Sequence, residues 1–177
     1  LSPSALAYRA SMERAIGDAE EGAVKRYEFT MSTATPDHAD DIVEQDWDLS
    51  VFAANPVAPW SHNSSAPPVG SWQDVGVRGE MLGGFLVPLA LPSYPLSETV
   101  AAQLDAGILR TVSVGFRPGE AFARASMDPT DSRYDDGWGY VYRGNVLLEC
   151  SPCTIPMNPE ARIRVSPPPA ARHWLTG

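Results

Sequence analysis

The segment Leu109-Arg-Thr-Val-Ser-Val-Gly-Phe116 alternates with a period of two, so an extended chain puts Val112, Val114 and Phe116 on one side and Thr111, Ser113 and Gly115 on the other. One side is bulky and the other small. Taken alone this favours a half-buried strand with a solvated outer face; the sharper reading is a strand whose small neighbours leave room for a substrate chain to approach the Ser113 hydroxyl. It is not the GxSxG elbow of α/β-hydrolases, because Thr111 stands where the first glycine is needed. A serine is a weak nucleophile at neutral pH unless a base removes its proton, so a catalytic Ser113 requires a histidine. Three are present, His38, His62 and His173. His62 lies in Trp60-Ser-His-Asn-Ser-Ser-Ala-Pro-Pro68, either as a solvated loop residue or as an imidazole held over the strand of Ser113. His38 falls in an acidic stretch, open to roles as surface residue, metal ligand or salt partner, and His173 in a proline-rich tail.

A third group would orient the imidazole and stabilise its charged form, and Glu149 is the candidate. In Val146-Leu-Leu-Glu-Cys150, alternation places Glu149 with Leu147 and Ser151, and Val146, Leu148 and Cys150 opposite. A carboxylate so flanked is either near a partner or at a strand edge in water. The two cysteines form a lone Cys150-Ser-Pro-Cys153, with no second pair to complete a four-thiolate zinc site and no helix start behind it for a redox pair. They are expected to be small buried fillers. Asp37, Asp40, Asp41, Glu44, Asp46 and Asp48 lack the spacing and central glycine of a calcium loop, and are expected to form a solvated acidic face.

Composition prunes the remaining chemistry. Lys25 is the only lysine among 13 basic residues, so no phosphate-cradling GxxxxGK[ST] loop and no Ser-x-x-Lys dyad can be written. No HExxH pair occurs. With 22 acidic residues the net charge is -9, and the basic footprint of a nucleic-acid binder is missing. The 177 residues amount to one domain with tails, and 17 prolines with 14 glycines argue against long helices in favour of an all-β or α+β domain rich in turns. Leu1-Ser2-Pro3-Ser4 lacks the basic segment and apolar core of a signal peptide, and no run approaches membrane-spanning length, so a reducing cytosolic compartment and no membrane partner are expected. The chain does not begin with methionine, which suggests a trimmed or excised piece.

The elements that must position these residues follow from periodicity. A partly helical extension is expected over residues 1–22, a folded domain over 23–165 and a proline-rich tail or linker over 166–177. Within the domain a strand starts at Ala23, with Val24, Tyr27, Phe29 and Met31 towards a core. Residues 35–48 read as loop, 52–56 as a helical turn and 57–60 as a brief strand; 69–77 and 81–88 form a hairpin about Gly79. A helix over Ser97–Ala106, capped by Ser97 and ended by Gly107, shows Val100, Leu104 and Ile108 on one side. Residues 118–137 read as an open loop, 139–143 and 145–150 as strands, and 161–165 as a last strand.

Asp37-His-Ala-Asp-Asp-Ile-Val, Trp47-Asp-Leu, Asn55-Pro-Val, Trp60-Ser-His62 and Pro67-Pro-Val-Gly70 resemble the prohead proteases of tailed bacteriophages, the serine peptidases of capsid maturation. Ser113-Val-Gly-Phe116 after a helix ending at Gly107, then Leu147-Leu-Glu-Cys-Ser151 and Pro156-Met-Asn-Pro-Glu-Ala161, continue the likeness in the same order. It covers about Val24 to Ala161. Ala39 stands where relatives often show glycine, Val146 replaces an expected glutamate, and Pro152 and Thr154 interrupt a usually smoother apolar run. The resemblance implies a fold similar to the herpesvirus assemblin, a closed antiparallel β-barrel with helices around it. It implies Ser113 as nucleophile, His62 as general base and then acid, and Glu149 as third member where assemblins use a second histidine. It further implies no cofactor, no metal, a homodimer, location in host cytoplasm inside the assembling prohead, and cleavage of a scaffold protein or the scaffolding arm of the major capsid protein, together with self-cleavage. A non-catalytic scaffold or capsid-binding component that keeps the fold is the alternative.

Overall fold

A computed structural model describes residues 25–164. The partly helical extension expected over residues 1–22 and the tail carrying His173 lie outside the described residues. Among the described residues the architecture is mainly β, with 40% strand against 14% helix, which fits the density of prolines and glycines. The strands are β1 (Tyr27–Thr33), β2 (Ile42–Val43), β3 (Trp47–Asp48), β4 (Val57–Ala58), β5 (Gly70–Arg78), β6 (Met81–Pro88), β7 (Thr111–Arg117), β8 (Glu120–Ala123), β9 (Tyr140–Arg143) and β10 (Asn145–Cys153). Helix α1 spans Ser50–Ala54 and α2 spans Pro95–Asp105. Hydrogen bonds join the strands into sheets ordered β1-β6-β5-β4, β3-β10-β7 and β2-β9-β8, curled as a half-barrel.

The core lies where the first two sheets face each other under α2. Tyr27, Phe29 and Met31 of β1 are buried, as their alternation requires, and meet Trp72 of β5, Leu82 and Leu86 of β6, Val112 of β7 and Cys150 of β10. Phe29 packs edge-on against Trp72, with ring centroids 5.8 Å apart. The indole N–H of Trp72 then donates to the Cys150 carbonyl at 2.8 Å, tying the β5–β6 hairpin to the centre of β10. The hairpin turns at Gly79, whose φ of +65° suits glycine.

Several elements differ from the sequence expectation for identifiable reasons. Helix α2 begins at Pro95, which needs no intrahelical N–H donor there; Ser97 caps nothing and instead donates its hydroxyl to the Tyr94 carbonyl. Its end is as expected: Gly107 has φ +67°, its N–H bonds the Leu104 carbonyl, and the Ile108 N–H bonds the Gln103 carbonyl, a Schellman closure. That closure turns Ile108 away from Val100 and Leu104, leaving it 71% exposed. Residues 118–137 contain β8 and a 3-10 turn at Arg124–Ser126. The buried Arg124 side chain organises this segment, donating to the carbonyls of Arg133 and Asp40. Residues 161–164 make isolated bridges to β1 and β7 in place of a strand. Among the described residues no helix is long and apolar enough to cross a membrane.

The acidic stretch is also more structured than a solvated face. Asp37 accepts from the Ala39 and Asp41 N–H groups, Asp41 from Tyr140, Asp46 from Gly144 and Asp48 from Ser50. Gln45 between them donates to Ser32 and Val43 and accepts from the Trp47 indole and the Leu82 amide, so it joins β1, β3 and β6. His38 is exposed, and its backbone N–H donates to the Met157 carbonyl.

Candidate active site

Strands β7 and β10 are antiparallel, with Ser113 directly opposite Ser151, Val114 opposite Cys150 and Gly115 opposite Glu149. Directly opposed residues share a face, with Cβ atoms about 5 Å apart. Ser113, Gly115, Glu149 and Ser151 therefore occupy one face of this pair, while Val112, Val114, Cys150 and Pro152 occupy the other. The register advances by one residue on β7 but by two on β10 between Leu147 and Glu149. This bulge corrects the simple alternation, which put Leu147 beside Glu149. Leu147 is instead wholly buried in the cluster that holds Cys150, the extra residue Leu148 is 45% exposed, and Glu149 emerges on the outer face.

The loop carrying His62 is fastened to this face. Its Asn63 N–H bonds the Trp60 carbonyl across Ser61 and His62, whose φ angles are +51° and +61°. Two positive φ values in succession mark a type I′ turn, which ordinarily calls for glycine, asparagine or aspartate. Side chains of other types are held there only when their surroundings fix them, and such strain concentrates at functional sites. The fixing groups come from β10: the Ser61 N–H donates to the Pro152 carbonyl at 3.0 Å, and the His62 N–H donates to Ser151 Oγ at 3.0 Å.

His62 Nδ1 lies 2.5 Å from Glu149 Oε1. A carboxylate accepts and does not donate, so Nδ1 carries the proton and Nε2 is the basic nitrogen. The hydrogen bond to Glu149, reinforced by its charge, raises the imidazole above its ordinary value of 6.5 against the opposing effect of partial burial. Glu149 Oε2 meanwhile accepts the Ser151 hydroxyl at 2.6 Å. Both carboxylate oxygens are thus engaged by side chains of the same small cluster.

Gly115 explains part of this arrangement. A Cβ at that position would stand 2.9 Å from the Glu149 carboxyl carbon, closer than side chains tolerate. The space opened by the small residue at 115 is filled by Glu149, where the sequence had left it free for a substrate chain. Ser113 keeps a small opening to solvent at 7% exposure, whereas Ser151 has none. Ser151 also directs its proton to Glu149 and its lone pair to the His62 amide, so of the two facing serines Ser113 is the one left to react. Among the described residues Ser113 Oγ makes no hydrogen bond to His62 or Glu149, whose side-chain bonds run to each other and to Ser151.

The fold therefore brings Ser113, His62 and Glu149 to one face. His38 lies elsewhere, in the loop against Met157. The thiols are free and buried: desolvation pushes Cys150 well above its ordinary range and Cys153 up to about 11, which disfavours the thiolate that thiol–disulfide exchange needs. Sequence reasoning did not assign Ser151 a part in the site, and gave Gly115 only that of a small neighbour leaving room beside Ser113. Their signal was the shared small-residue face, readable only once the pairing of β7 with β10 is known. No family model, curated protein or solved structure matches the chain.

Proposed function

We propose that the chain is a serine endopeptidase of phage capsid maturation, cleaving a scaffold protein or the scaffolding arm of the major capsid protein inside the prohead, and cleaving itself. The observation that carries the catalytic reading is the His62–Glu149 pair, docked by the strained turn on the face of Ser113. Ser113 Oγ attacks the scissile carbonyl as His62 Nε2 takes its proton. Glu149 holds the tautomer that leaves Nε2 basic and stabilises the imidazolium that forms. His62 then protonates the leaving amine, and water, deprotonated by the same nitrogen, releases the acyl group.

The capsid substrate, the homodimer, the host location and closure of the half-barrel into an assemblin-like barrel come with the family resemblance, which rests on the ordered motifs from Asp37 to Ala161. A net charge of -9 suits a protease confined where nucleic acid will later be packed, since it gains nothing from binding phosphates. Co-expression of the full-length precursor with its capsid protein tests the reading: fragments appear with Ser113 and disappear with Ser113→Ala. Identical fragments from both would overturn it. A precursor that stays whole in the wild type, in assembled proheads, would favour the non-catalytic scaffold component.

A further inference from the structure

We propose that Ser151 is a positioning residue of this site, a hydroxyl that locks the acid and the base together from beneath. The inference rests on the Ser113–His62–Glu149 reading and deepens it. Ser151 is fully buried, yet its one hydroxyl spans two elements far apart in sequence. It donates to Glu149 Oε2 at 2.6 Å and accepts the His62 backbone N–H at 3.0 Å. Glu149 is thereby held at both oxygens, one by the imidazole it orients and one by the strand it stands on.

The need for such a lock is visible in the backbone. His62 has φ +61°, a conformation its side chain disfavours, so the turn must be fixed from outside to keep the ring over β10. Ser151 and the next residue, Pro152, accept the two successive amides of Ser61 and His62. Without the Ser151 hydroxyl, Glu149 can rotate about its side-chain bonds and the His62 amide loses its acceptor. Both changes loosen the geometry on which proton transfer depends, while the strand itself keeps its backbone pairing. Ser151 never touches the reacting atoms; it acts through Glu149 and His62.

The experiment measures two things on Ser151→Ala, Ser151→Cys and the wild type. The first is the imidazole titration of His62 by NMR, recorded in a Ser113→Ala background where no cleavage occurs. The second is kcat and KM for cleavage of the capsid or scaffold substrate with Ser113 intact. In Ser151→Ala the His62 midpoint is expected to fall towards 6.5. Its kcat is expected to drop by roughly tenfold to a hundredfold with KM unchanged. Ser151→Cys, which keeps the size and a weak donor, is expected to lie between the two, and it supplies the same readouts if the alanine variant does not fold. A wild-type midpoint and wild-type kcat in a folded Ser151 variant would overturn the proposal. A shifted His62 midpoint with no Ser113-dependent cleavage would keep the lock and remove the peptidase, so the two failures are distinguishable.

Discussion

The acidic segment at 37–48 and the lone Glu149 use carboxylates in opposite ways. Asp37, Asp41, Asp46 and Asp48 each accept backbone N–H groups, closing turns and joining loops. Glu149 instead accepts a hydroxyl and an imidazole. The first kind of carboxylate holds the chain in place. The second kind is coupled to a group that can gain and lose a proton near neutral pH, and that coupling separates a candidate active site from a well-braced loop.

The sharpest way to break the comparison is to neutralise one member of each kind. In Glu149→Gln the amide can donate to Nδ1, favouring the tautomer in which Nε2 carries the proton, and kcat is expected to fall by about a thousandfold or more while thermal stability changes little. In Asp37→Ala the expectation reverses. Two amides lose their acceptor, stability falls by about 1 kcal/mol in a denaturant titration, and kcat stays within about threefold of wild type. Equal effects of the two substitutions on kcat would erase the distinction.

Gly115→Ala comes next. Its methyl group would collide with the Glu149 carboxyl group, which is anchored at both oxygens and cannot swing aside without releasing His62 or Ser151. A fall in kcat of about a hundredfold is expected, with the His62 midpoint shifted down. An unchanged His62 titration in this variant would show that the carboxylate is not confined as described.

Smaller, and opposite in sign for rate and stability, is the effect of pH. Because the His62 value is raised in the folded state, the stabilisation from its bond to Glu149 is fully present below about 6.5. It is lost as pH rises through the raised value, and with a His62 side chain 45% exposed it is small. The rate needs neutral Nε2, so kcat is expected to rise through that same window, with a midpoint above 6.5 in the wild type. Asp48 behaves the other way: bonds from Ser50 lower its value below 3.8, so its contribution holds above 3.8 and disappears as pH falls through the lowered value. Unfolding free energies of Asp48→Asn and Glu149→Gln, measured from acid to mildly alkaline pH and compared with the pH–rate profile, separate the two behaviours.

What local patterns could express was legible before folding. The β5–β6 hairpin about Gly79, the Schellman stop at Gly107 and the inward Tyr27, Phe29 and Met31 all follow from neighbouring residues. Glu149 was assigned its face by alternation, and that face proved correct beside Ser151 but not beside Leu147, because the bulge at Leu148 exists only through pairing with β7. Ser97 invited reading as a cap, but Pro95 starts the helix earlier and leaves the serine hydroxyl to the Tyr94 carbonyl. The order within 118–137 depends on the Arg124 guanidinium reaching the Asp40 carbonyl from 84 residues away, which no local window can contain. The partnership of Ser151 with His62 likewise joins positions 89 residues apart in sequence.

The central claim is that Ser113, and not the facing Ser151, is the activated hydroxyl. Reaction of the folded protein with a fluorophosphonate, followed by peptide mapping, measures this directly. The account predicts one adduct on Ser113, formed faster as pH rises above 6.5 and abolished in His62→Ala. An adduct on Ser151, or labelling of Ser113 at the same rate without His62, would contradict it.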